Sequence, residues 1–302
     1  MADRPLVGGA TARTHVDYLV RPLRHRDALR RMLLPHRTYA AYALGQLQPG
    51  LFERSEWWVS RGSHGEALLL HSKGGLGNAL LALGTSEALE AVLRLHPGPH
   101  HTFLTCQVQH LEVALRHYDL SERQSMSRLL VDRDTFRPVE GETRRLTGRQ
   151  VREINRLYRA DGTPAFYTAE NIDDAVYYGA FSGGQLVAVA GTHVVSREDE
   201  IAVAGNVFTH PMHRGLGLGT AVTGAVTAQL LETCKEVALS VDPRNVSAVR
   251  AYERLGYREV GRLIESASTR RDIGIGAAIR RRVAGLRGRK YGAELLSIGV
   301  EQ

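Results

Sequence analysis

The chain has 302 residues, 24% of them charged and 43% hydrophobic, with a formal net charge of +7. That composition belongs to a soluble globular protein and excludes a disordered chain; no apolar run approaches the ~18 residues of a spanning helix. At roughly 150 residues per domain, the length predicts two domains, each able to bury its own core.

The positive charge admits a polyanionic partner such as nucleic acid. Yet the only lysines are Lys73, Lys235 and Lys290, and the arginines are spread along the chain. Nucleic-acid binding is therefore disfavoured. Met1 to Val20 contains no apolar stretch followed by a small-residue cleavage site, which predicts a cytoplasmic protein without a secretory signal. Cys106 and Cys234 fall in different halves and suit a reducing compartment.

In chain order, Trp57 to Ser60 and Glu66 to His71 predict a hairpin, Ser86 to Leu95 a helix, and Thr102 to Thr105 a strand. Gln109 to His117 then reads as a helix and Ser125 to Val131 as a strand, making the first half an α/β or α+β unit. Gly74-Gly75-Leu76-Gly77 follows a strand but lacks a preceding arginine, and reads as a turn. His100, His101, Cys106 and His110 fit no zinc spacing, and Pro97-Gly98-Pro99 marks a loop, so no metal is expected.

From Asp132 to Thr143 the sequence is polar and carries Pro138 and Gly141, which predicts a linker and divides the chain into 1–135 and 136–302. Beyond it, Arg144 to Leu146 reads as a strand, and Thr147 with Gln150 forms a capping box for a helix through Tyr158. Tyr177 to Phe181 and Gln185 to Val194 predict a hairpin turned at Ser182-Gly183-Gly184. A strand from Ile201 leads to Pro211, a glycine series, and a helix whose buried face carries Leu218, Val222, Ala225, Val226 and Leu230. Val237 to Val241 (strand), Val246 to Leu255 (helix ending at Gly256) and Tyr257 to Leu263 (strand) complete the pattern. The tail from Thr269, with Arg280, Arg281, Arg282, Arg287, Arg289 and Lys290, is left open between packed and loose.

The glycine series Arg214-Gly215-Leu216-Gly217-Leu218-Gly219 carries the chemistry. Glycines turn the backbone through positive φ and leave no Cβ in a ligand's way, so successive amides converge on phosphate oxygens. The following helix adds its unpaired N–H groups and the positive end of its dipole. Alternate glycines differ from a dinucleotide-binding series, and no Gly-Lys-Ser/Thr ends the turn as in a Walker loop.

With Val207-Phe208-Thr209-His210-Pro211 before it, and Leu239-Ser240-Val241-Asp242, Asn245, Ala248, Tyr252 and Gly256-Tyr257 after it, this series resembles the GNAT acyltransferase superfamily. Within it, the chain is similar to the branch that includes glycine N-acyltransferase-like C-terminal domains, over roughly Arg144 to Glu265. The resemblance implies a mixed, mostly antiparallel sheet flanked by helices, preceded by a second α/β domain that is either acceptor-shaping or a degenerate GNAT-like half. It implies an N-acetyltransferase in which an amine attacks acetyl-CoA, a co-substrate, directly.

On that resemblance, the amides of Arg214, Gly215, Leu216, Gly217, Leu218, Gly219 and Thr220 hold the CoA pyrophosphate. The backbone of Val207, Phe208 and Thr209 pairs with the pantetheine arm, and one N–H faces the thioester oxygen. Tyr252 is the general acid for the leaving thiolate, with packing on Val249 and Tyr257 as the alternative. Asn245 either bonds the pantetheine or caps its helix, and Ala248 and Arg250 line the channel.

The base is chosen from His193, Glu200, Glu170 and His210, with Asn206 on the neighbouring strand. Tyr158, Phe166, Tyr167 and Tyr178 either wall the acceptor or belong to the core. The acceptor is an amine-bearing small molecule or peptide; a homodimer is compatible, and a membrane is not involved. The competing function is a non-catalytic acyl-CoA-binding or regulatory module, which needs neither Tyr252 nor a base.

Overall fold

A computed structural model describes residues 13–301, apart from 75–76, 97, 163–164, 272–273, 277, 280–281, 284–285 and 287–292. Gly75, Leu76, Pro97 and, in the basic tail, Arg280, Arg281, Arg287, Arg289 and Lys290 lie outside the described residues.

The first half runs β1 (Arg13–Pro22), α1 (Arg26–Leu33), α2 (Ala41–Gly45), β2 (Ser55–Gly62), β3 (Gly65–Lys73), β4 (Asn78–Gly84), α3 (Ser86–Leu95), β5 (His101–Cys106), α4 (Leu111–His117) and β6 (Tyr118–Asp132). The second half runs β7 (Arg144–Arg145), α5 (Val151–Tyr158), α6 (Ala169–Asp173), β8 (Tyr178–Ser182), β9 (Gln185–Ser196), β10 (Ile201–Thr209), α7 (Leu218–Leu231), β11 (Glu236–Val241), α8 (Val246–Arg254) and β12 (Arg258–Arg270). The two orders are the same, element for element. A last strand, β13 (Glu294–Glu301), pairs with β1, so this part of the tail is packed.

All the strands form one sheet in the order β13-β1-β2-β3-β4-β5-β12-β6-β11-β10-β9-β8-β7. Each half pairs its early strands antiparallel and then takes a single parallel step, β4 to β5 and β10 to β11. The final strands are exchanged. β12 pairs with β5 of the first half, β6 pairs with β11 of the second, and the two meet each other at the centre.

The helices bury apolar residues on both faces of the sheet. Val222, Val226 and Leu230 of α7 pack with Leu239 and Val241 of β11 and with Tyr252 and Leu255 at α8. Leu29 and Leu33 of α1 and Leu44 of α2 pack on Trp57 and Leu70, but also on Val194, Ile201 and Val203 of the second half. An added Cβ on Gly45 would stand 2.5 Å from Val194 Cβ, so α2 lies directly on β9. The first half therefore roofs part of the second.

The stretch after Asp132 is packed as well as connecting. Arg137 N donates to Leu255 O, and Phe136 joins the core under α7 and α8. Among the described residues, no helix is long and apolar enough to cross a membrane.

Candidate functional site

The parallel step between β10 and β11 is short. Ile201, Ala202 and Val203 lie opposite Glu236, Val237 and Ala238, and no pairing with β11 continues beyond them. On its other side β10 shifts register against β9 twice, between Val203 and Ala204 and between Gly205 and Phe208. Asn206 takes a φ of 53° at the second shift. A bulge of this kind bends its strand away from the neighbour. It leaves the β11-facing backbone of 204–209 open to an extended ligand, as an added strand would be.

The bent strand runs into the glycine series. Gly215 and Gly217 have φ of 81° and 75°, a left-handed backbone that other residues adopt only under strain. Gly217 caps the 14-residue α7, whose first turn has no acidic residue and no side-chain cap. Its leading N–H groups thus face outward unpaired, at the positive end of the helix dipole. The helix starts hard against the strand: a Cβ on Gly219 would stand 3.2 Å from Thr209 Oγ1. Arg214 is fastened beside this glycine turn, called the cradle below for its shape, its Nε donating to Thr209 O and its guanidinium over the Phe208 ring.

Among the described residues the first half has no equivalent. β4 ends at Gly84 and α3 begins at Ser86, with Thr85 alone between them, whereas 210–217 separate β10 from α7. Gly74 and Gly77 instead lie between β3 and β4.

Val207, Leu218, Ala248 and Tyr252 share one packed cluster, so α8 is brought to the splay and the cradle. Tyr252 is 7% exposed, and burial raises its hydroxyl to about 12. Among the described residues that hydroxyl has no hydrogen-bond partner, whereas Tyr257 Oη is bonded to Thr227 Oγ1 at 2.8 Å. Asn245 Oδ1 accepts from Ala248 N at 3.2 Å and caps α8. Arg250 is exposed on that helix.

The candidate bases separate. His193 and Asn206 line a cavity of about 340 Å³ between the two halves, together with Tyr42, Thr105, Tyr167 and Glu265. Burial and the field of Arg128 lower His193 to about 4, so it is neutral near pH 7. Glu265 is raised by burial, against the pull of Arg128. Glu200 stands in the β9–β10 turn, paired with Lys235, at the other end of a nine-residue strand from Thr209. At ~3.3 Å per residue that is roughly 30 Å from the cradle. His210 accepts from Met212 N and caps the turn before the glycines, and Glu170 is exposed in the first turn of α6.

Of the aromatic candidates, Tyr158 stacks on Tyr167 and meets Phe208, and its hydroxyl donates to Asn206 O, at the bulge. Phe166 is 84% exposed, and Tyr178 lies under Arg145. Sequence reasoning missed Tyr42, Tyr177, Glu265 and Arg128. Tyr177 Oη accepts from Asn206 Nδ2 at 2.8 Å and so holds the bulge.

Among the described residues, one group of side chains has metal-like closeness: Glu56, His71 and His96 in the first half. Their lone pairs are partly committed. His96 Nδ1 accepts from Gly98 N, which puts the proton on Nε2, the atom facing Glu56, and makes it a donor. Glu56 is ion-paired with Lys73.

The family model described as Acetyltransferase (GNAT) family matches residues 149–257, without singling out the glycine N-acyltransferase branch. The fold is shared with a protein from Drosophila at TM-score 0.59 and 11% identity, over 82% of this chain and 98% of that one. It is also shared with a GNAT-family protein from Novosphingobium aromaticivorans DSM 12444, at 0.53 and 20% identity over 67% and 88%. A GCN5-related N-acetyltransferase from Sphaerobacter thermophilus aligns at 0.52 and 16% identity over 84% and 95%. No curated protein matches the chain.

Proposed function

We propose that the chain, whose residues 149–257 match the family model described as Acetyltransferase (GNAT) family, is an acyl-CoA-dependent N-acyltransferase, most simply transferring acetyl from acetyl-CoA to a primary amine. The observation that carries this reading is the left-handed turn at Gly215 and Gly217, set before a bare helix N-terminus and beside a strand with an open edge. Amides of 214–220 hold the pyrophosphate without a metal. The open backbone of Val207, Phe208 and Thr209 pairs with the pantetheine arm, and one N–H there stabilises the thioester oxygen as it gains charge.

The acceptor amine enters the cavity between the halves, where α2, β4 and β5 supply one wall. The first half thus shapes the acceptor site. As the amine nitrogen bonds to the carbonyl carbon and the C–S bond breaks, one proton leaves the nitrogen and one must reach sulfur. His193, neutral near pH 7, is placed to take the first, directly or through water. Tyr252, protonated at that pH and with an uncommitted hydroxyl, supplies the second. Asn245 acts through its cap of α8, which sets where Tyr252 stands.

Thiol release across a panel of amines with acetyl-CoA tests this reading. The wild type is expected to release thiol with at least one amine. Binding of CoA without release across a broad panel favours a non-catalytic acyl-CoA-binding module instead.

A further inference from the structure

Leu70, Leu81, Thr105 and Glu265 stand in one row across four neighbouring strands. Leu70 of β3 opposes Leu81 of β4, Leu81 opposes Thr105 of β5, and Thr105 opposes Glu265 of β12. Residues directly opposed in a sheet present their side chains on the same face, and all four line the cavity between the halves. At ~4.8 Å per strand the row measures roughly 14 Å from Leu70 to Glu265. Phe103, two residues before Thr105 on β5, shares that face and that cavity, a large apolar side chain left 46% exposed.

The row is apolar at one end and charged at the other. Glu265 is the one charged residue among those lining the cavity, since His193 is neutral near pH 7. It has no hydrogen-bond or ion-pair partner among the described residues. Burial raises its carboxyl, against the pull of Arg128. A carboxylate held in an enclosure poor in water is costly until a cation pairs with it. The strand order gives the direction: β12 lies between β5 and the strands of the second half, so the charged end of the row is nearer to β10 and the apolar end farther away. A volume of about 340 Å³ admits a small molecule, not a folded protein.

We propose that the acceptor is a small primary amine with an uncharged, apolar body, whose ammonium end pairs with Glu265 while its body lies on the face carried by Leu70, Leu81 and Phe103. The proposal rests on the N-acyltransferase reading. Before attack the bound ammonium gives one proton to the Glu265 carboxylate, an N–H bond breaking as an O–H bond forms, and both charges vanish from the enclosure. The neutral amine then loses its second proton as the amide forms. A further charge on the acceptor, carboxylate or ammonium, would be left unpaired against the apolar face, which is how the site rejects it. The strand exchange thus joins two tasks: β12 brings the carboxylate to the first half, and the first half reads the body.

The test uses amines that differ in one feature at a time. Phenethylamine is set against L-phenylalanine, which adds a carboxylate; pentylamine is set against methylamine, which lacks the body, and against cadaverine, which adds a second ammonium. Calorimetric binding to the full chain without acyl-CoA and thiol release with acetyl-CoA are both read. In the wild type phenethylamine or pentylamine is expected to bind, and to exceed its counterparts by about tenfold or more in kcat/KM. Glu265→Gln is expected to weaken binding of that amine by about tenfold or more and to leave acetyl-CoA affinity unchanged. Phe103→Glu, at an exposed position, puts a second carboxylate ~7–8 Å from Glu265 by the diagonal spacing of adjacent strands, and is expected to turn the order of pentylamine and cadaverine around. It carries the test alone should Glu265→Gln fail to fold. Preference for any counterpart, equal use of all, binding of neither apolar amine, undiminished binding by Glu265→Gln, or an unchanged order in Phe103→Glu overturns the proposal. Thiol release absent with every amine, while the apolar amines bind and Glu265→Gln loses them, would instead remove the acyltransferase reading and leave the amine site standing.

Discussion

Tyr252 and Tyr257 meet edge to face with ring centroids 6.0 Å apart, yet only Tyr257 has its hydroxyl tied, to Thr227 Oγ1. On the proposed mechanism the pair separates a proton donor, Tyr252, from a structural hydroxyl, Tyr257, within one cluster. Tyr252→Phe is expected to lower kcat about 10- to 100-fold with little change in acetyl-CoA affinity, because a proton donor is lost and a ring is kept. Tyr257→Phe is expected to cost about 1 kcal/mol of stability and to leave kcat near wild type. Steady-state kinetics and urea unfolding of both variants check this; equal kinetic losses would contradict it.

Gly256 follows α8 with a φ of 92°, and a Cβ there would stand 1.9 Å from Thr135 O. Both the backbone strain and a clash with a main-chain atom oppose any side chain. Gly256→Ala is therefore expected to destabilise the chain by about 3 kcal/mol or more, whereas Gly183→Ala, with open space around its Cβ, is expected to cost about 1 kcal/mol. Denaturant midpoints decide it. Comparable losses at the two sites would show that the segment after Asp132 does not press on α8.

His193 is lowered from 6.5 to about 4, by burial first and by Arg128 second. Between those values the unfolded chain binds a proton that the folded chain lacks, so stability is fully present above about 6.5 and falls as pH drops through the window. Replacing His193 with Gln removes that share. Urea midpoints at pH 7.5 and 4.5 are expected to fall further apart in wild type than in His193→Gln. The same pH dependence in both would place the imidazole in water.

Much of the second half was legible in its punctuation. The Thr147–Gln150 capping box and the Ser182-Gly183-Gly184 turn are local devices, and both are found where their residues predict them. The glycine series was legible for the same reason, since its backbone angles follow from residue type. In the first half α3 was readable from Ser86 to Leu95, but α1 and α2 were not. α1 buries only Leu29 and Leu33, and the five residues of α2 are too few to show a period. Their burial comes from the other half, through Val194 and Ile201. The strand exchange was illegible in the same way: β12 reads as ending near Leu263 but runs to Arg270, because β5 and β6 flank it. Glu265 reads as an ordinary polar member of a strand, since nothing local says that it lines a cavity together with residues of the first half.

Equilibrium binding of acetyl-CoA to wild type and Gly217→Glu tests the central assignment most directly. Gly217 has a φ of 75° with no atom within 4 Å of an added Cβ, so the glutamate can be accommodated at the cost of local strain while placing negative charge at the cradle. Calorimetry is expected to show wild-type binding at micromolar or tighter Kd, and binding by a folded Gly217→Glu weakened by about a hundredfold or more. Undiminished binding by that variant would contradict the cradle, and with it the proposed site.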